Sequence, residues 1–291
     1  MKTVLITGAT RGIGLELCRI FALELDFKVY MGCRSLEKAK NAIIELGNSV
    51  NIIPIVVDVS QEESVKQAFE YYKQIKPKEE KLDILINNAG AQLDWIPNGE
   101  YIKTFDIDIE LLDKIFRTNV FSHLIMTRTF ISEMSEGGRV VNVTSGSGEF
   151  WDNNAIMDFQ PGYAPSKSAA IMMTKKIAAA ALPYKVYVNS CCPGWCRTAM
   201  GGDDAETSAY DGAKSILSAC FINKKNPPSG YHYRYGKKIP IDVLPGVNIT
   251  KYIPFSVRKY LRKILIPVYY KIIALKEKNQ NIKQRKNKNA K

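Results

Sequence analysis

Thr3-Val4-Leu5-Ile6-Thr7-Gly8-Ala9-Thr10-Arg11-Gly12-Ile13-Gly14-Leu15-Glu16-Leu17-Cys18 decides how the rest of the chain is read. A run of apolar, β-favouring residues stops at a turn that carries three glycines. Beyond it Leu15, Cys18, Phe21, Ala22 and Leu25 recur at helical spacing. A strand, a glycine turn and a helix in that order let the backbone approach a pyrophosphate closely. The helix N-terminus then offers unpaired N–H donors and the positive end of its dipole. Gly8, Gly12 and Gly14 have the wider spacing GxxxGxG, with Ile13 inside the turn. The plainer alternative is a glycine turn that binds nothing, and the strand before and helix after count against it.

The same alternation continues outward. Val- and Ile-rich runs occupy 3–7, 28–32, 51–57, 82–87, 138–144 and 185–191, with helical spacing between them. Strands alternating with helices predict βαβ units. Their right-handed crossovers give an α/β fold: a single Rossmann-type, doubly wound parallel sheet with helices on both faces. The expected division is a dinucleotide-binding and catalytic domain over 1–246 and a basic extension over 247–291.

Composition narrows the class. The 291 residues are 46% hydrophobic and 24% charged, enough to bury a sizeable core without metals or disulfides. The six cysteines have no CxxC spacing, so neither a zinc ribbon nor a secreted disulfide scaffold is indicated. His123 and His232 lack the neighbours of a metal site, and there is no GxSxG nucleophile elbow. No apolar run reaches 18 residues, and the apolar start runs straight into the glycine turn, which argues against a membrane span or a signal peptide. The expected location is cytoplasmic. The net charge of +12 is unevenly spread: residues 224–291 hold 18 Lys and Arg against two acids, whereas 1–223 are mildly acidic.

In doubly wound sheets ligands bind beyond the carboxyl ends of the strands. The second strand ends at Gly32-Cys33-Arg34, the third at Asp58-Val59, and the fourth at Asn87-Asn88-Ala89-Gly90. The fifth ends at Thr144-Ser145-Gly146 and the sixth at Cys192-Pro193-Gly194. An acidic residue after the second strand would bond a ribose 2′-hydroxyl and repel a 2′-phosphate. Here Arg34 stands there and Arg11 lies in the glycine turn, so two guanidiniums can clamp a phosphate and NADP(H) is favoured over NAD(H). A solvated surface charge is the alternative for Arg34. Asp58 has two compatible readings, an adenine contact and an N-cap for the helix starting near Gln61.

Thr7-Gly8-x-x-x-Gly12-x-Gly14, Asn87-Asn88-Ala89-Gly90, Ser145, Tyr163-x-x-x-Lys167 and Cys192-Pro193-Gly194 together resemble the short-chain dehydrogenase/reductase family over roughly residues 1–240. Arg139–Ser145 and Cys191–Thr198 are most similar to its monomeric NADPH-dependent carbonyl reductases. Ser229-Gly230 with Gly236–Pro240 looks like the short closing strand of that subgroup. The resemblance implies a cofactor cleft lined by Gly8, Arg11, Gly12, Ile13, Gly14, Arg34, Asp58, Val59, Asn88, Ala89, Gly90, Pro193, Gly194 and Thr198. It also implies that Tyr163 and Lys167 touch the cofactor and that Asn119 holds a water linking the lysine to solvent. A polar mid-helix role is the alternative for Asn119.

Tyr-x-x-x-Lys alone selects nothing, because the chain contains four copies, beginning at Tyr72, Tyr163, Tyr210 and Tyr233. Only the copy at Tyr163 follows a strand-end serine and precedes a helix of small residues. The chemistry is consistent with that placement. A carbonyl accepting hydride gains negative charge on oxygen and needs a proton, yet free tyrosine titrates near about 10. A lysine one helical turn away would pull that value down, making Tyr163 the general acid/base and Lys167 its tuner. Ser145 would bond the substrate oxygen as charge develops. An exposed Tyr–Lys pair and an ordinary turn serine are the bland alternatives.

Two features depart from compact family members. Pro165 lies inside the Tyr163–Lys167 motif, so the helix must begin almost at Tyr163. The 17 residues from Gly146 to Gly162 carry Phe150, Trp151, Ile156, Met157 and Phe159. That segment suits a hydrophobic carbonyl or alcohol substrate, or else packs against the body; with Ala199–Ser208 it is expected to set specificity. At the C-terminus, 255–276 reads as a basic amphipathic helix and 276–291 as a disordered tail. Peripheral membrane contact and docking on protein compete for the helix, and nucleic-acid binding is not expected. The functional expectation is an NADP-dependent oxidoreductase acting on CH–OH/C=O groups. The alternative is a non-catalytic nucleotide sensor or scaffold on the same fold, which usually loses the Tyr or Lys that this chain keeps.

Overall fold

The apolar run Thr3–Ile6 forms β1, with a strand paired on either side of it. Val4 and Ile6 enter one apolar layer and Leu5 the other, each at most 1% exposed. Burial on both faces is why the strand reads as an unbroken apolar run. The computed structural model describes residues 1–95, 101–150, 158–223 and 227–240.

The elements alternate along the chain: α1 (Gly12–Arg19), β2 (Lys28–Cys33), α2 (Leu36–Glu45), β3 (Ile52–Val56), α3 (Glu62–Ile75) and β4 (Leu82–Asn87). There follow α4 (Ile109–Phe116), α5 (Ser122–Phe130), β5 (Met134–Val143), α6 (Tyr163–Ala181), β6 (Tyr187–Cys192), α7 (Ala209–Cys220), β7 (His232–Arg234) and β8 (Lys237–Ile239). The strands lie in the order β3-β2-β1-β4-β5-β6-β7-β8. β1 to β7 are parallel and β8 pairs antiparallel with β7. Strand order reverses between β1 and β4, opening a crevice at their carboxyl ends. One face is covered by α1, α2 and α7, through Leu17, Ala39 and Ile216 among others. The other is covered by α3, α5 and α6, through Val65, Phe130 and Ile177.

The strand expectations match closely, with differences at the edges. β5 begins four residues earlier than its apolar run, at Met134. The single closing strand is instead a hairpin whose outer strand exposes Lys237 and Lys238, charges that discourage edge-to-edge pairing. Asp58 does not cap α3, because that helix starts at Glu62 after a Gln61 N-cap with no side-chain bond. Asp58 Oδ1 instead accepts the N–H of Ser60 at 3.0 Å and its hydroxyl at 2.7 Å. All six cysteines are buried and free. Among the described residues no helix is long and apolar enough to cross a membrane, and no cluster of ligating side chains could hold a metal. Residues Met1–Ile241 form one unit. The expected boundary at 246/247, the amphipathic helix over 255–276, and Trp151, Ile156 and Met157 lie outside the described residues.

Candidate active site

The glycine turn is locked to the end of β4. Thr7 Oγ1 accepts the N–H groups of Asn88 and Ala89, both at 3.0 Å. Asn88 Nδ2 returns bonds to the carbonyls of Thr7 at 2.9 Å and Gly8 at 3.2 Å. A Cβ on Gly14 would lie 2.3 Å from Gly8 O and 2.7 Å from Asn88 Nδ2, so no side chain fits there. Gly8 and Gly12 have φ of +63° and +54°, a region costly for other residues. No side chain caps α1, whose N-cap is Arg11, so the first N–H groups of the helix are available to an anion. Ile13 and Gly14 follow in that first turn.

The other expected cleft residues gather at the same end of the sheet. Arg34 and Arg11 are exposed, and among the described residues neither joins an ion pair. Asp58 and buried Val59 follow β3. Thr198 overhangs the glycine turn, its Cγ2 lying 3.2 Å from where a Gly12 Cβ would be. Pro193 and Gly194 lead into that overhang, and Gly194 has φ of +89°.

The residues expected to react come together beyond β5. As Pro165 requires, α6 begins at Tyr163, which sets Tyr163 and Lys167 one turn apart on one face. Lys167 Nζ lies 5.6 Å from the Tyr163 ring centre and donates to Val143 O at 3.1 Å. The Ser145 side chain acts on the Tyr163 phenol and favours its ionised form. Ser145 opens a short 3-10 turn, Gly146–Gly148, whose Ser147 N–H it accepts at 3.2 Å. That turn presses on α6, since a Cβ at Gly148 would lie 2.5 Å from the Lys167 carbonyl carbon.

Burial decides the electrostatics. It pushes the Tyr163 phenol up to about 12, with Ser145 acting against it. It pushes the Lys167 ammonium down to about 8. The expected net lowering of the phenol by Lys167 is therefore not found: desolvation outweighs it in this cavity. Taking either charge out of water costs more than the neighbouring groups return.

Asn119 lies in a π-helical turn, Arg117–Phe121, joining α4 to α5. Its Oδ1 accepts Ala91 N–H at 2.8 Å, and its Nδ2 donates to Ala91 O at 2.8 Å and Ser166 Oγ at 3.0 Å. The side chain thus ties the segment after β4 to α6. Gly90 separates it from the lysine, because a Cβ there would meet Lys167 Nζ at 3.4 Å and Asn119 Oδ1 at 3.5 Å. His123 is wholly buried and, among the described residues, neither ring nitrogen has a partner. Burial, then the Lys167 charge, pushes it down to about 3, so it is neutral.

Two features escaped the sequence. Asp94, buried after β4, accepts the N–H groups of Gly162 and Tyr163. Glu149, also buried, accepts from His232 Nε2 at 3.1 Å and from Arg234, anchoring the segment after Ser145 on β7. His232 Nδ1 lies 2.9 Å from Ser190 Oγ. No local pattern marks either feature, since the partners lie 68 to 85 residues apart.

A doubly wound sheet with an uncapped glycine turn at its switch point defines a dinucleotide-binding class of protein. The short chain dehydrogenase family model matches residues 2–209, and the chain belongs to that family. It is 34% identical over 229 residues to the short-chain dehydrogenase anuI of Penicillium roqueforti, covering 74% of this chain and 87% of that one. It is 32% identical over 222 residues to the oxidoreductase UcpA of Escherichia coli, covering 75% and 78%. The fold is shared with the NADPH-bound carbonyl reductase from chicken fatty liver (TM-score 0.70, 22% identity, 82% of this chain and 98% of that one). It is shared equally with the carbonyl reductase Sniffer of D. melanogaster (TM-score 0.70, 22% identity, 81% and 97%). Membership makes the protein an oxidoreductase of the hydride-transferring kind.

The locked turn yields a direct test. Gly14→Ala should destabilise the fold by about 1–3 kcal/mol in urea titration through overpacking. It should also weaken nucleotide binding by roughly tenfold or more, about 1.4 kcal/mol. Unchanged stability and binding would show that the turn tolerates a Cβ and is not the cradle.

Proposed function

We propose that the protein is an NADP(H)-dependent carbonyl reductase or alcohol dehydrogenase acting on a small apolar carbonyl or alcohol. The observation that carries this reading is the convergence of Tyr163, Ser145 and Lys167 at the end of the sheet that bears the uncapped glycine turn. The turn's missing Cβ atoms, its uncapped N–H donors and the exposed guanidiniums of Arg11 and Arg34, unpaired among the described residues, fit a dinucleotide with an extra phosphate. Leu93 and Trp95 after β4, Phe150 after β5, and Trp195 and Met200 after β6 are all exposed near the carboxyl ends of the strands. Large apolar side chains on three loops at that end of the sheet favour an apolar substrate.

When bound, the nicotinamide supplies or takes the hydride. Ser145 Oγ orients the carbonyl oxygen and strengthens its bond as negative charge grows there. Tyr163 Oη gives that oxygen its proton. Its raised titration keeps the phenol protonated at neutral pH, the form that reduction requires. Lys167 Nζ holds a positive charge beside the ring and favours the phenolate left behind. The complete Ser–Tyr–Lys set counts against a non-catalytic sensor on this fold.

Tyr163→Phe should reduce turnover of NADPH with apolar aldehydes or quinones by at least about 100-fold, the size of general acid catalysis, with nucleotide binding retained. Wild-type turnover in that variant would sink the assignment of Tyr163.

Arg34→Asp should move the NADPH/NADH ratio of kcat/KM by about 10- to 1,000-fold toward NADH, the loss of a charge-assisted phosphate clamp. An unchanged ratio would remove Arg34 from the phosphate site.

The pH dependence follows from Lys167. Burial depresses its titration to about 8, so the charge is present below that pH and lost above it. Reductive kcat/KM should fall as pH rises through about 8, and Lys167→Met should be uniformly slow and lack this limb. A wild-type profile flat well beyond that point would refute the role of the ammonium.

A further inference from the structure

α6 carries the reacting residues, yet it lacks the side-chain cap that other helices of the chain possess. Ser35, Asp108 and Ser208 cap α2, α4 and α7 from their own N-cap positions. The N-cap of α6 is Gly162, which has no side chain to offer. The missing acceptor comes from elsewhere. Asp94 Oδ2 accepts the N–H of Gly162 at 2.9 Å and of Tyr163 at 2.8 Å.

We propose that Asp94 is a positioning residue: from the segment after β4, its carboxylate caps the N-terminus of α6 and fixes Tyr163 at the first position of that helix. The proposal rests on the reading of Tyr163 as proton donor.

The burial of Asp94 is the first argument. The residue is 0% exposed, and among the described residues no Lys or Arg pairs with it. A buried carboxylate without a cation is costly unless fixed dipoles replace its hydration. The two N–H groups and the positive end of a 19-residue helix do that here. Its other oxygen, Oδ1, has no partner among the described residues, so the helix terminus is the carboxylate's principal attachment.

A second carboxylate closes the same seam in the opposite direction. Asp158 Oδ1 accepts the N–H of Thr104 at 2.9 Å, and Asp158 O accepts from Lys103 Nζ at 3.3 Å. The Tyr101 and Phe159 rings, from the same two segments, lie 5.1 Å apart. The segment after β4 thus grips the start of α6 through Asp94, and the segment before α6 grips back through Asp158.

Charge gives Asp94 an effect that packing alone would not produce. The groups that act electrostatically on the Tyr163 phenol are Ser145 from the turn after β5, Cys192 and Cys196 from the end of β6 and its loop, and Asp94, with the Lys167 ammonium 5.6 Å from the ring centre. Asp94 acts in the direction that keeps the phenol protonated. Asparagine would keep an acceptor in place without the charge, and alanine would remove both.

The experiment compares wild type, Asp94→Asn and Asp94→Ala with NADP+ bound. Tyr163 is titrated by near-ultraviolet phenolate absorbance after subtracting the matching Tyr163→Phe protein, and amide exchange is followed at Gly162 and Tyr163. Neither readout needs a substrate. Asp94→Ala should lose about 10- to 100-fold in kcat with little change in KM for NADPH, as expected for a displaced acid. Its Gly162 and Tyr163 amides should exchange faster. Asp94→Asn should recover most of that kcat and amide protection while Tyr163 titrates lower than in the wild type. Wild-type exchange and titration in both variants would overturn the proposal. So would equal loss in both variants without any titration shift, the result of a purely structural defect. Full turnover in Tyr163→Phe would instead overturn the reading of the proton donor, while amide exchange would still decide the cap.

Discussion

Thr7 and Asn88 exchange hydrogen bonds across the seam where strand order reverses, and the rest of the site takes its position from that seam. With the glycine turn held against the end of β4, the first turn of α1 packs Gly14 against the Gly8 carbonyl. The first N–H groups of α1 then face the crevice and not a neighbouring loop. The overhang carrying Thr198 reaches over the same turn from β6. A doubly wound sheet generates a crevice at its switch point by topology alone. Here the absence of side chains at Gly8, Gly12 and Gly14 leaves the backbone of the turn closely packed and uncovered by Cβ atoms.

Burial on the other side of the crevice sets the chemistry. Tyr163 and Lys167 are pushed in opposite directions by one cause, the removal of water from their charged forms. Both become easier to keep neutral, which keeps the proton on the phenol and brings the lysine's loss of charge close to neutral pH. Around this pair the structure uses polar groups at a distance. Asn119 ties the segment after β4 to α6, Asp94 holds the start of α6, and Glu149 fastens the segment after Ser145 to β7. Each is a buried polar group spanning elements that lie far apart in the chain, where water would otherwise have to satisfy them.

The local order of elements was legible in the sequence because each element's signal is local. Runs of Val and Ile bounded by glycines gave strands to within a few residues, and Pro165 gave the start of α6. The grouping of Gly8, Gly12, Gly14, Arg34, Ser145, Tyr163 and Lys167 at one end of the sheet was also legible, since each stands at a strand end, in the first turn of a helix, or, for Lys167, one turn beyond Tyr163. The hairpin β7–β8 was read as one strand because three-residue strands carry too little periodicity to resolve. The sign of the Tyr163 shift was missed for a different reason. Spacing reveals that a lysine is near, but not how much water the pair has lost.

The sequence by itself determined the fold class, the glycine turn, the family, and which of four Tyr-x-x-x-Lys pairs stands beside a strand-end serine. Those features depend on residues within a few positions of one another, where side-chain periodicity and backbone freedom act directly. Tertiary structure alone decided that Asp94 meets the N-terminus of α6, that Glu149 joins His232 and Arg234, and that the phenol is harder to ionise than in water. A hydrogen bond across some 70 residues leaves no trace in local spacing, and desolvation belongs to a cavity that exists only when the chain has folded.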